Sequence, residues 1–143
     1  MKNNKSRNGF TLIELIIVMV ILGIMAAVAV PRYLDSISNA EEAAEDAVIS
    51  AIRSGLTQYA NNSLYESGRA EWPTNPFDAL AEKPVGYSTD ESDADVDGEW
   101  TFSGGRITHQ RADNSRYEWS YDPGTQGGGD DAAIGTLGQR TAL

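Results

Sequence analysis

The sequence predicts an α+β fold in which a long N-terminal helix, membrane-spanning in its first half, packs on a small antiparallel β-sheet. Residues 10–30 are an apolar run, and residues 36–60 are rich in Ala and Glu with an apolar stripe at helical spacing. Residues 99–121 hold three short strand-like segments, two of which have alternating aromatic side chains. The 143 residues leave room for one globular region beside the apolar segment.

The apolar segment has the length of a membrane-spanning helix. At about 1.5 Å per residue, residues 10–30 form a helix of about 30 Å, the thickness of the hydrocarbon core of a bilayer. The run contains one charged residue, Glu14, and is followed by Pro31. Hydropathy alone therefore predicts a membrane span.

Charges on either side of this segment predict its orientation. Lys2, Lys5 and Arg7 precede it without an acidic residue, and Arg32 follows it closely. The positive-inside rule then places the N-terminus in the cytoplasm and the body of the chain outside. Beyond residue 9 the chain holds 8 basic against 21 acidic residues, a net charge of −13. The folded part is therefore not expected to bind nucleic acid.

Three ordinary interpretations of the apolar segment compete with one another. They are an ordinary single-span anchor, a secretory signal peptide with Ala27-Val28-Ala29 as its cleavage site, and a buried helix of a soluble protein. None of them accounts for Glu14, because a carboxylate in an apolar span is unfavourable in lipid unless it has a partner. Glu14 therefore indicates a functional site.

The residues around Glu14 carry a family resemblance. Residues 9–15, Gly-Phe-Thr-Leu-Ile-Glu-Leu, resemble the processing site of type IV prepilins and type II secretion pseudopilins. The resemblance implies that a membrane-embedded aspartyl prepilin peptidase cuts after Gly9 and methylates the new N-terminus at Phe10. It also implies that Glu14 pairs with the N-terminal amine of a neighbouring subunit during assembly, which offsets the burial of its charge.

Gly23 and Pro31 mark the weakest part of the predicted helix. Pro31 lies where the resembled family has a helix-bending proline, and both residue types lower helix stability. In filaments of that family the corresponding segment can be extended. Local melting and a simple kink both stay open, because Ala26, Ala27 and Ala29 favour helix.

The predicted organisation has four parts. Residues 1–9 are a basic leader removed by the peptidase, 10–31 the hydrophobic membrane and assembly helix, 32–60 its amphipathic continuation, and 61–143 a head region. The apolar stripe predicted to pack on the sheet consists of Val48, Ile52, Leu56 and Tyr59. The acidic residues of the early turns are predicted to form a solvated face, with contact to a basic patch on another subunit as the alternative: Glu41, Glu42, Glu45 and Asp46.

The head region is predicted to hold a connecting loop, a three-stranded meander and an irregular tail. The loop spans 61–86, the strands 99–102, 106–110 and 116–121, and the glycine-rich tail begins at residue 124. The aromatic side chains predicted to cover the helix stripe are Trp100, Phe102, Tyr117, Trp119 and Tyr121. A sugar-binding or charge-conducting surface is the alternative use of these rings.

An acidic run in the head region has the opening of a calcium loop. Asp93, Asp95 and Asp97 alternate before Gly98, and this spacing can direct several oxygens at one hard cation. Gly104 stands at the twelfth position, where an EF-hand has glutamate, so Glu99 or Asp90 would have to substitute. The expected calcium ligands are therefore Asp93, Asp95, Asp97 and Glu99. A solvated acidic loop is the alternative interpretation.

The leading functional prediction is a structural subunit of a type IV pilus-like extracellular filament. The alternatives are a major-like pseudopilin of a type II secretion system and an anchored calcium-dependent binding module. The implied partners are the peptidase, other pilin subunits, the inner membrane and an assembly platform. The implied location is the inner membrane before assembly, then an extracellular pilus or a periplasmic pseudopilus.

An enzyme is not expected from this sequence. Cysteine is absent, which excludes thiol catalysis and disulfides. The one histidine, His109, lies on a predicted strand with no nucleophile or carboxylate dyad signalled around it.

Overall fold

The computed structural model describes residues 9–124 and 135–143. Its elements are α1 (Leu12–Ser67), a short 3-10 helix (Pro76–Ala79), β1 (Trp100–Ser103), β2 (Arg106–Gln110), β3 (Arg116–Ser120) and β4 (Thr141–Ala142). The chain divides into two compact units within α1, an N-terminal unit (Met1–Glu42) and a globular unit (Ala43–Leu143). This arrangement confirms the predicted α+β class.

The helix of the N-terminal unit is apolar and exposed. Every described residue from Gly9 to Ala40 is exposed, including the whole predicted span. The most apolar 18-residue window of α1 has a mean hydropathy of 2.9 and no buried residue. Length and composition are thus sufficient for this helix to cross a membrane.

The remainder of α1, in the globular unit, carries a buried stripe. Its buried residues are Glu45, Ile49, Ile52, Gly55, Leu56 and Ala60. Ile52 and Leu56 confirm the predicted stripe, but Tyr59 was wrongly assigned to it, because its side chain is 41% exposed and Ala60 faces the core instead. The helix also continues to Ser67 rather than ending at residue 60.

Glycine ends the helix and also sets its closest contact. Gly68 has a φ of 76° and donates its backbone N–H to the carbonyl of Leu64 at 3.0 Å, a left-handed C-terminal cap. Gly55 faces the 3-10 helix so closely that a Cβ atom there would lie 2.6 Å from the carbonyl oxygen of Ala79. A larger residue at position 55 would therefore push the two segments apart.

The sheet is antiparallel with strand order β1-β2-β3-β4. Trp100 pairs with His109, Ile107 with Trp119, and Tyr117 with Ala142. The β1–β2 turn contains two glycines with positive φ, as a tight hairpin requires. The three predicted strands are confirmed to within one residue at each end, and β4 is an additional strand.

The core lies between α1 and one face of the sheet. Its buried members are Ile49, Ile52, Leu56, Phe77, Trp100, Ile107, Trp119, Tyr121 and Leu137. The rings of Trp100 and Trp119 stack with centroids 5.8 Å apart, and the Tyr121 hydroxyl donates to the Pro73 carbonyl at 2.7 Å. The aromatic face is therefore packing against the helix, as predicted.

A segment that we call the strap, Gly135–Leu143, lies along β3. Backbone N–H groups of Gly135, Gly138 and Leu143 donate to the carbonyls of Asp122, Ser120 and Arg116 at 2.8, 2.8 and 3.0 Å. The predicted irregular tail was therefore wrong for Thr141–Ala142, which form β4, whereas residues 135–140 are irregular apart from a bridge at Leu137. The rest of that prediction, residues 125–134, lies outside the described residues.

Candidate processing and assembly segment

The predicted cleavage bond lies outside the helix. Gly9, Phe10 and Thr11 precede α1 without regular structure, and the Phe10 side chain is 92% exposed. A peptide bond in non-helical, exposed backbone is accessible to a protease without unfolding of the helix. The basic residues of the leader, Lys2, Lys5 and Arg7, lie outside the described residues.

Thr11 and Glu14 form a capping box at the start of α1. The Glu14 carboxylate accepts hydrogen bonds from the backbone N–H and the hydroxyl of Thr11, each at 2.8 Å. In return, the Thr11 hydroxyl accepts from the backbone N–H of Glu14 at 3.3 Å. This reciprocal pattern satisfies donors that a helix start otherwise leaves unpaired. It also places the Glu14 carboxylate one turn from Phe10.

The apolar side chains of the span form a surface on all sides of the helix. Leu12 is 76% exposed, Met19 65% and Ile24 64%. Exposed apolar area of this extent is unfavourable in water, at roughly 25 cal/mol per Å². It indicates a helix made to be covered by lipid or by other protein chains.

The helix runs unbroken through Gly23 and Pro31. A Cβ atom at Gly23 would meet nothing within 4 Å, so no described neighbour requires glycine there. Kinking and local melting in an assembled state therefore stay predictions, and the free chain keeps its helix across both residues.

The predicted calcium ligands do not converge. Asp93 accepts from Arg106 at 3.0 and 3.2 Å, and Glu99 accepts from the backbone N–H groups of Asp95 and Val96 at 3.0 and 3.3 Å. Within residues 9–124 and 135–143, no three His, Cys, Asp or Glu side chains are grouped so as to hold a metal ion. The arrangement described here does not fit a calcium site, and calcium binding stays a prediction.

Glu45 was wrongly assigned to a solvated face. Its side chain has no exposed surface. One oxygen accepts from Arg111 Nε at 2.7 Å and lies 2.9 Å from His109 Nδ1, and the other accepts from Arg111 Nη2 at 2.6 Å and Arg140 Nη1 at 3.2 Å. Burial by itself raises the pKa of Glu45, but the hydrogen bonds and charges of Arg111 and His109 outweigh it and lower the pKa to about 2.

His109 belongs to this cluster and to the core. It is 8% exposed, and its ring stacks on Trp100 with centroids 4.2 Å apart. Its described hydrogen-bond partner is Glu45, so the arrangement is that of a structural histidine.

The N-terminal motif and the single exposed apolar helix define the class of prepilin-like proteins. A family model described as the prokaryotic N-terminal methylation motif matches residues 4–30. The match covers the resembled processing site and the whole apolar run of residues 10–30.

Curated relatives extend the similarity into the globular unit. The type IV narrow pilus major component PilA5 of Thermus thermophilus is 41% identical over 100 residues, 70% of this chain and 74% of that protein. A fimbrial protein of Neisseria meningitidis serogroup A is 40% identical over 72 residues, 50% of this chain and 39% of that protein. The chain belongs to the type IV pilin family.

The similarity also reaches a secretion protein. Core protein G of the type II secretion system of Pseudomonas aeruginosa is 36% identical over 83 residues, 57% of this chain and 55% of that protein. No solved structure is significantly similar to this chain. The motif that pilins and pseudopilins share is therefore confirmed. Because both groups have it, the motif alone does not distinguish a pilus subunit from a pseudopilus subunit.

Proposed function

We propose that this chain is a structural subunit of a type IV pilus-like extracellular filament, assembled through its N-terminal helix. The observation that supports the proposal most strongly is a fully exposed apolar helix directly after a Gly9–Phe10 bond in non-helical backbone. Such a helix needs partners on every side, which a filament core provides. The role is structural, and the proposal assigns no catalysis to the chain.

The precursor is held in the inner membrane by this helix before assembly. Leader residues Lys2, Lys5 and Arg7 keep the N-terminus in the cytoplasm, while the acidic globular unit lies outside. Prepilin peptidase then cuts after Gly9 and methylates Phe10. Because the cut precedes the apolar run, the mature chain keeps its membrane helix, and an assembly platform extracts it into the filament.

In the filament, Glu14 pairs with the N-terminal amine at Phe10 of a neighbouring subunit. The free chain offers a holding state for this carboxylate, since Thr11 donates two hydrogen bonds to it. Exchange of these neutral donors for a charged amine strengthens the interaction, because the ionised carboxylate then also gains the Coulomb attraction of a full opposite charge. Assembly of subunits thus uses the Glu14 carboxylate, which is already held at the start of the helix in the free chain.

A pseudopilin of a type II secretion system is the second candidate. It is favoured by the similarity to core protein G, which extends over 57% of this chain. Both candidates use the same processing and the same helix. They differ in filament length and in location, extracellular for a pilus and periplasmic for a pseudopilus.

The first experiment is the mass and N-terminal sequence of the chain from cells that express a prepilin peptidase. We expect a mature chain that begins at methylated Phe10, and the full precursor in matched cells with an inactive peptidase. A leader retained in both cells, or a cut after Ala29, would remove the proposal. Mechanical shearing then separates the two candidates, since long extracellular filaments are released and short periplasmic ones are not.

The Glu14→Ala variant tests the assembly step. We expect normal leader removal and a loss of sheared filaments of at least about tenfold, because a buried amine is left without its counter-charge. Thr11→Val is the matched variant, since it removes only the hydroxyl that holds Glu14 in the free chain. Normal filament yield from Glu14→Ala would refute the pairing.

A further inference from the structure

Glu45 is a buried carboxylate that the proposed filament contacts do not use. It lies on α1 in the globular unit, where it is the first fully buried residue of the helix. Its four described polar contacts come from two arginine side chains and one histidine. A charge without solvent access is stable only when such contacts replace its hydration.

The three side chains come from two other parts of the globular unit. His109 is on β2 and Arg111 directly follows it, so these two tie the end of β2 to α1. Arg140 belongs to the strap and reaches the same carboxylate at 3.2 Å. A further charged group near Arg140 is Asp46, at 3.9 Å, and its side chain is 69% exposed. One carboxylate therefore joins helix, sheet and strap.

Both guanidinium groups also lie over the ring of Tyr117 on β3. Arg111 is 4.1 Å and Arg140 5.5 Å from the ring centroid. This arrangement brings two like charges to one place, and the Glu45 charge between them balances the repulsion. Neutralising Glu45 would leave that repulsion acting directly on the strap.

The strap has other attachments besides Arg140. Its backbone pairs with β3, and Leu137 inserts into the core at 9% exposure. Arg53 of α1 donates to the Gly138 carbonyl at 3.4 Å, a long hydrogen bond. The ion pair of Arg140 with Glu45, at 3.2 Å, differs from these attachments in being a charged link between strap and helix.

We propose that Glu45 is an electrostatic clasp that holds the strap on the globular unit. Loss of its charge releases Gly135–Leu143 while β1, β2 and the helix stay folded. In a chain without cysteine, this ion cluster connects helix, sheet and strap by charge, as a covalent crosslink would connect them. Release of the strap uncovers the edge of β3, whose backbone groups would then be open to pairing with another strand.

Hydrogen–deuterium exchange of the full chain in detergent micelles tests the clasp. In Glu45→Gln we expect the strap amides that bond β3, those of Gly138 and Leu143, to exchange at least about tenfold faster through local opening. The amides of β1 and β2 should accelerate by a smaller factor than those of the strap. Uniform acceleration over the whole globular unit, or no change in the strap, would overturn the proposal.

Two further variants keep the test decisive. Arg140→Gln removes only the strap's own charge from the cluster, so it should give the same local release even if Glu45→Gln fails to fold. Asp46→Asn is the matched control, an adjacent and exposed carboxylate on the same helix, and it should leave strap exchange within about twofold of wild type. Wild-type exchange in Arg140→Gln would overturn the clasp whatever Glu45→Gln does.

The clasp is independent of the filament. The exchange measurement reads only the globular unit of the free chain, so it can succeed if no filament forms and fail if filaments form normally. Its result therefore cannot be mistaken for a result on leader removal or shearing.

Discussion

The two parts of α1 reverse the usual relation between polarity and burial. Up to Ala40 the helix is mostly apolar and exposed, whereas in the globular unit an acidic residue, Glu45, is completely buried. The difference shows that a residue's own chemistry does not decide its burial. Within the described part of the chain, residues 9–40 bury no side chain, whereas each buried polar side-chain atom of the globular unit has a hydrogen-bond partner.

The largest difference expected between the two parts is in the response to truncation of an isoleucine. Ile52→Ala should lower the free energy of unfolding of the globular unit by about 3 to 4 kcal/mol, because it opens a cavity in the core. Ile17→Ala, in the exposed span, should leave that free energy unchanged. Denaturation of the detergent-solubilised chain, followed by tryptophan fluorescence, measures both. Equal losses in the two variants would contradict the division into an independent core and an exposed span.

Acid should destabilise the globular unit through Glu45. Its pKa is 4.5 in the unfolded reference and about 2 in the folded chain. The stabilisation is complete above about pH 4.5 and is lost as pH falls towards 2, a change of about 3 kcal/mol. The groups that face Glu45 are His109, Arg111 and Arg140. Denaturation at a series of pH values should show that the free energy of unfolding falls between about pH 4.5 and 2 in wild type and falls less in Glu45→Gln. Equal falls in the two proteins would refute the assignment of this acid effect to Glu45.

Substitution of alanine for each glycine of α1 compares the exposed part of the helix with the part in the globular unit. Gly55→Ala should cost about 1 to 2 kcal/mol, because its Cβ would meet the Ala79 carbonyl, although alanine favours helix. Gly23→Ala meets nothing and should stabilise the isolated helix by up to about 1 kcal/mol. Thermal unfolding of the globular unit reports the first, and circular dichroism of the helix in detergent the second. Stabilisation by both substitutions would show that the contact at Gly55 is loose.

The smallest effect is expected from calcium. Because Asp93 already pairs with Arg106 and Glu99 with backbone N–H groups, millimolar calcium should leave the melting temperature unchanged. Asp95→Ala is the matched variant. A rise in the wild-type melting temperature that Asp95→Ala abolishes would establish the acidic loop as a calcium site after all.

Local patterns were sufficient to predict much of the fold. The apolar run, the β2 strand with its bounds and the packing of the aromatic face all depend on nearby residues with strong periodicity. Gly9, Phe10 and Glu14 were recognised because their motif is contiguous. Their proposed roles in cleavage, methylation and pairing stay predictions.

The Glu45 cluster could not be predicted from such local patterns. Its partners lie 64, 66 and 95 positions away, so an acidic helix face looks the same whether solvent or arginine covers it. The strap was missed because glycine-rich sequence carries little periodicity, and its strand forms only by pairing with β3. Tyr59 was misplaced by one position, which on a helix is a rotation of about 100°.

The long separation within the Glu45 cluster has a consequence for biosynthesis. Arg140 is translated 95 positions after Glu45, so the whole of α1 has been synthesised before this partner exists. During that interval the carboxylate stays hydrated, and the sheet cannot close over it without a penalty. Closure of the sheet over Glu45 therefore belongs to a late stage of folding, after the whole chain with its strap has been synthesised.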